Sequence, residues 1–97
     1  MTMIAETPRM LQRPWELSAS VALRPEPFGA LAYNFANRTL SFLKRPALVR
    51  VVEHLADHPD VHSTLVAEGI PEEQHDAYLR ALRGLAAKDM IRPRTDA

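Results

Sequence analysis

The chain has 97 residues, 46% of them hydrophobic and 25% charged, a balance that makes one domain with one modest core and excludes wholesale disorder. Twelve basic and twelve acidic residues cancel, so no global field draws the chain to nucleic acid or to an anionic membrane. With no cysteine there is no disulfide, thiol nucleophile or iron–sulfur ligand set, a composition that fits a reducing cytosol.

Residues 1–14 carry Met3, Ile4, Met10 and Leu11 with no sustained period, which predicts a flexible N-terminal arm, and the single domain is expected over 15–94. The arm lacks the continuous apolar core of a signal peptide, and no later run reaches the ~20 apolar residues of a membrane span. The expectation is a soluble cytoplasmic protein. Trp15 and Leu17 are the first anchors of the domain. Val21 and Leu23 alternate with Ala22 and Arg24, a short strand that Pro25-Glu26-Pro27 ends by removing ladder donors. Arg24, Glu26 and Phe28 then lie in a stiff proline-flanked turn. Two readings exist for that turn: an ordinary solvated connection with a weak Arg24–Glu26 pair, or a docking point for a partner. The solvated connection is preferred. Gly29 allows the backbone bend that follows.

The organising stretch is Leu31 to Leu43. Leu31, Tyr33 and Phe35 alternate with Ala32 and Asn34, and Leu40 and Phe42 alternate with Thr39 and Ser41. Period-two runs on both sides of Ala36-Asn37 predict a β-hairpin. A two-residue loop puts Tyr33 opposite Leu40 and Leu31 opposite Phe42, with all four side chains on one face, expected to be the core face. With that loop Arg38, Leu40 and Phe42 bond inward, and Thr39, Ser41 and Leu43 turn their backbone groups outward. A four-residue loop reverses this parity. The expected sheet is a three-stranded antiparallel meander over 21–24, 30–35 and 38–43.

From Lys44 the period becomes helical. Pro46 suits a first turn, and Leu48, Val51, Val52 and Leu55 follow at i, i+3, i+4 and i+7. Pro59 stops this helix near Asp57 or His58. Asp60 caps a short second helix carrying Val61, Leu65 and Val66, which Gly69 closes. Pro71 opens a third helix with Glu72, Glu73 and Asp76 at its positive end. His75, Tyr78, Leu79, Leu82, Leu85 and Ala86 form its apolar face, Lys88 lies in its last turn, and Met90 and Ile91 are placed to pack after it. The predicted core combines Leu31, Tyr33, Leu40 and Phe42 with Leu48, Val52, Leu55, Leu65, Leu79, Leu82 and Leu85. The class is α+β.

His54, His58 and His62 are spaced by four, as metal ligands on one helix would be, but Pro59 breaks that helix between them, so no metal site is expected. Catalytic motifs are absent: no Gly-x-Ser-x-Gly elbow, no glycine-rich phosphate loop, no His-Glu-x-x-His. Neither an enzyme nor a bound cofactor is expected. The order sheet, helix, short helix, Gly turn, longer helix suggests a winged-helix relative, so a DNA-binding regulator is the alternative function. A recognition helix presents its N-terminal residues to the groove; here these are Glu72, Glu73 and Asp76, which phosphates repel.

A different surface of the third helix favours a ligand. Ala77, Ala81, Gly84 and Lys88 recur at spacings of four, three and four, a stripe that suits either tight helix packing or the close approach of another backbone. Together with an unpaired strand from Thr39 to Leu43, it predicts a peptide trough formed by Thr39, Leu40, Ser41, Phe42, Leu43, Ala77, Ala81, Gly84 and Lys88. An open strand edge also permits a homodimer.

Val21-Ala22-Leu23-Arg24-Pro25-Glu26-Pro27-Phe28-Gly29-Ala30-Leu31, followed by Tyr33-Asn34-Phe35 and Leu40-Ser41-Phe42-Leu43-Lys44, resembles the mycofactocin precursor-peptide chaperones. These belong to the peptide-recognition elements related to the quinone-cofactor chaperone PqqD. The likeness runs from about Trp15 to Arg94, and its most specific part is Leu-Arg-Pro-Glu-Pro-Phe-Gly with Leu-Ser-Phe-Leu-Lys downstream. The resemblance implies a winged-helix-like, PqqD-type domain that is a non-catalytic carrier. Such a carrier binds a ribosomally made precursor peptide and presents it to a radical S-adenosylmethionine enzyme, which modifies a C-terminal Val-Tyr. It further implies that the peptide adds as an antiparallel strand along Thr39–Leu43 and lies against Ala77, Ala81 and Gly84. Metal clusters and S-adenosylmethionine would belong to the enzyme partner.

Overall fold

The computed structural model describes residues 10–94. The chain runs through β1 (Trp15–Leu17), β2 (Val21–Glu26), β3 (Gly29–Asn34) and β4 (Thr39–Leu43), and then three helices. These are α1 (Pro46–His54), α2 (Val61–Ala67) and α3 (His75–Ala87), and β5 (Ile91–Pro93) follows them. Strands β2, β3 and β4 form the expected antiparallel meander, with β4 at one edge. A second, two-stranded sheet pairs β1 with β5, Leu17 opposite Ile91. This sheet joins the two ends of the domain and was not anticipated, because strands of three residues carry too little alternation to read. Of the arm expected over 1–14, residues 1–9 lie outside the described residues, and Met10 is buried in the core.

The helices follow their local chemistry. Pro46 occupies the first turn of α1, where a missing N–H costs nothing. Leu48, Val51 and Val52 are its buried stripe, and Leu55 continues it in a 3-10 turn over Leu55–Asp57. Asp60 caps α2, its carboxylate accepting from the Ser63 N–H at 2.7 Å. Val66, expected to pack, is instead exposed. Another 3-10 turn, Glu72–Gln74, precedes α3, which buries His75, Tyr78, Leu79, Leu82 and Leu85. The His75 ring meets the Ile70 carbonyl through Nε2 at 2.9 Å.

The hairpin register is as expected, Tyr33 opposite Leu40 and Leu31 opposite Phe42, but the faces are reversed. Ala30, Ala32, Asn34, Ser41 and Leu43 turn to the core. Phe42 is 60% exposed, Leu40 51% and Tyr33 38%, and Leu31 is half-buried. The physical reason is proximity to the helices: α1 packs directly over β3, and the small side chains Ala30 and Ala32 allow that approach. The larger side chains therefore form an exposed apolar sheet face, on which Phe28 meets Phe42 edge-on at 5.9 Å. Strand β2 continues through Pro25 to Glu26, past the expected stop, so Arg24 and Glu26 lie in the strand and not in a turn, and their side chains pair at 3.6 Å.

A buried polar knot closes the far end of the core. Asn34 is 2% exposed. Its Oδ1 accepts from Ser20 Oγ and from the Ala36 N–H, and its Nδ2 donates to the Asp89 carbonyl at 2.9 Å. Ser18 Oγ donates to the same carbonyl. Asp89 holds φ at 60° just past the end of α3, so the knot ties the sheet to the helix terminus.

A candidate peptide groove between strand and helix

The hairpin loop decides which backbone groups of β4 are free. Arg38 adopts φ of 61° and its N–H donates to the Asn34 carbonyl at 2.7 Å. The last ladder pair is Asn34 with Thr39, so the loop holds four residues, not two. Parity along the ladder follows from β2. Pro25 stands opposite Ala30, and a proline cannot donate, so this is a non-bonded pair. The Phe35 N–H donates to the Ser20 carbonyl, which yields the same alternation from the other end. On β3, then, Leu31 and Tyr33 bond towards β2, whereas Ala30, Ala32 and Asn34 bond towards β4. Ser41 and Leu43 therefore use their backbone groups inside the sheet, and the Thr39 N–H donates to Asn37 Oδ1 at 3.1 Å. Leu40 and Phe42 point theirs outward, the reverse of the sequence expectation for a two-residue loop.

Beside this edge run two adjoining hollows of about 250 and 260 Å³. Phe42, Lys44, Arg45, Leu48, Ala77, Tyr78 and Ala81 line the first. Ser41, Phe42, Leu43, Leu48, Ala81, Gly84, Leu85 and Lys88 line the second. Phe42, Leu48 and Ala81 belong to both, so they form one groove between β4 and α3. Of the residues expected at the trough, Ser41, Phe42, Leu43, Ala77, Ala81, Gly84 and Lys88 meet there. Thr39 and Leu40 do not line it: the Thr39 hydroxyl bonds the Asn37 side chain at 2.6 Å, and the Leu40 side chain is on the outer sheet face.

Sequence reasoning missed Lys44, Arg45, Leu48, Tyr78 and Leu85 as lining residues. Arg45 stacks over the Tyr78 ring at 5.6 Å, a contact across elements that no spacing within one element discloses. A Cβ built on Gly84 meets nothing within 4 Å, so the stripe is open at Gly84, whereas Ala81 is half-buried against the core. Gly29 has φ of 150°, and a Cβ there would collide with the Leu43 carbonyl oxygen. The end of β4 is held against β3 by that close approach.

The three histidines are parted. His54 Nδ1 pairs with Glu68 at 2.8 Å, and Arg50 reaches the same carboxylate at 3.5 Å. The His62 ring stands edge-on to His75. Glu72, Glu73 and Asp76 are exposed at the start of α3. Among the described residues, no helix is long and apolar enough to cross a membrane.

A free strand edge facing a helix across an apolar groove is the arrangement by which small domains take up an extended peptide. Residues 14–92 match the Peptide chaperone MftB family, and the chain belongs to that family. It is 53% identical over 81 residues to the peptide chaperone MftB of Mycobacterium ulcerans, covering 84% of this chain and 74% of the relative. Identity to the protein of the same name from Mycolicibacterium smegmatis is 52% over 79 residues, covering 81% and 78%. For the Mycobacterium tuberculosis protein it is 49% over 82 residues, covering 84% and 75%. No solved structure matches the chain.

Proposed function

We propose that the chain is a peptide chaperone of mycofactocin biosynthesis, a PqqD-type winged-helix-like domain that carries a ribosomally made precursor peptide. It presents the peptide to a radical S-adenosylmethionine enzyme, in the cytoplasm, for modification of a C-terminal Val-Tyr. The peptide adds antiparallel to β4, pairing with the outward backbone groups of Leu40 and Phe42, and its alternate side chains enter the groove over Ala77, Ala81 and Gly84. The observation that carries this reading is the junction of the two features: free donors and acceptors at the strand edge open directly onto a groove floored by small residues. The chaperone itself has no chemistry to perform; it supplies orientation, and the partner enzyme supplies the radical reaction.

The carboxylates of Glu72, Glu73 and Asp76 occupy the helix end that a DNA reader inserts, so nucleic acid is not part of the proposal. Homodimerisation through β4 would use the same edge and would compete with peptide.

The test is calorimetric titration with a precursor peptide ending in Val-Tyr. Gly84→Leu projects a side chain into open groove space and leaves the core untouched. It is expected to stay folded and to weaken binding by at least tenfold. Undiminished binding by folded Gly84→Leu protein would move the site elsewhere.

A further inference from the structure

Building on that groove reading, we infer that the bound segment is an apolar strand flanked at both ends by acidic side chains. Among the residues lining the two hollows, three are cationic and none is acidic, although the whole chain carries equal numbers of the two signs. The cations are not scattered. Lys44 and Arg45 stand at one end of the groove, with Arg45 held over Tyr78. Lys88 stands at the other, beside the hairpin loop, where its carbonyl accepts from Asn37 Nδ2. Glu73, Asp76 and Asp89 are exposed and line neither hollow.

The helix sets the spacing of the acids: along α3, from Ala77 to Lys88, eleven steps span about 17 Å. That length matches about five residues of extended peptide. Arg45 and Lys88 both adjoin α3, so both acids belong on the peptide face turned towards that helix, which makes the separation even, about four or six residues. In antiparallel pairing the N-terminal acid meets Lys44 and Arg45, and the C-terminal acid meets Lys88.

The experiment uses three capped heptapeptides, Asp-Thr-Val-Thr-Val-Thr-Asp and its analogues with Asn or Lys at both ends, titrated by fluorescence anisotropy. The Asp peptide is expected to bind about tenfold more tightly than the Asn peptide at low salt, with the gap closing as salt rises. The Lys peptide should bind more weakly than either. In the double variant Lys44→Glu with Lys88→Glu, both exposed positions, the order should invert in favour of the Lys peptide. Equal affinities that Gly84→Leu abolishes would overturn the charge rule and leave the groove reading standing. A preference for Asp that survives in Gly84→Leu protein would overturn both. No binding of the Asp peptide to the folded parent protein would also overturn the inference.

Discussion

Ser41 stands directly opposite Ala32 in the ladder between β3 and β4, and the two residues exchange their backbone hydrogen bonds within the sheet. Its neighbours Leu40 and Phe42 therefore carry the outward backbone groups of the free edge, and Phe42 lines the groove. A proline at Leu40 removes an outward donor and no ladder bond, which an edge strand tolerates. Leu40→Pro is expected to remain folded by circular dichroism and to lose most precursor affinity by calorimetry. Ser41→Pro deletes a ladder bond and forces a ring into the core face, and it should not fold. The opposite pattern, a folded Ser41→Pro and an unfolded Leu40→Pro, would mean that the ladder parity is reversed.

The outer sheet face makes Phe42 a weak contributor to stability. With its ring 60% exposed and one edge contact to Phe28, Phe42→Ala should cost about 1 kcal/mol, the order of a single aromatic pair. A core phenylalanine would cost ~3–5 kcal/mol. Urea denaturation distinguishes the two values directly.

Gly84 lies in the interior of α3 with open space before it. Gly84→Ala should raise stability by about 1 kcal/mol through helix propensity, which for a domain of this size raises Tm by about 4–8 °C. A lower melting temperature would show that the position is packed.

Asn34 is expected to be the costliest polar substitution. Asn34→Ala removes three hydrogen bonds from a buried knot and should destabilise by about 2–3 kcal/mol, a large fraction of a small domain's total. Chemical denaturation showing a change below about 0.5 kcal/mol would contradict the importance of the knot.

Much of the fold was legible because its signals are local. Pro46, Asp60 and Gly69 mark helix boundaries by chemistry within one turn, whereas Pro71 opens a 3-10 turn and α3 begins only at His75; the apolar stripes of α1 and α3 repeat often enough to read. The hairpin register was also legible, since alternation on the two runs admits few pairings. The faces were not. Large apolar side chains ordinarily mark the core side of a strand, and here Tyr33, Leu40 and Phe42 are outside while Ala30, Ala32 and Ser41 accommodate the helix. The loop was misread because a four-residue turn with Arg38 at positive φ lacks the Gly that usually signals it. At the groove, the α3 stripe was visible as spacing, whereas Lys44, Arg45 and Tyr78 come together only through tertiary packing.

The most direct test of strand addition is residue-resolved amide hydrogen exchange, with and without saturating precursor peptide. Pairing along β4 predicts that the Leu40 and Phe42 N–H groups exchange at least about tenfold more slowly in the complex, the mark of new backbone hydrogen bonds. The Ser41 and Leu43 groups, already bonded to β3, should be protected in both states. Leu40 and Phe42 amides that exchange as fast in the complex as in the free chain would contradict the account.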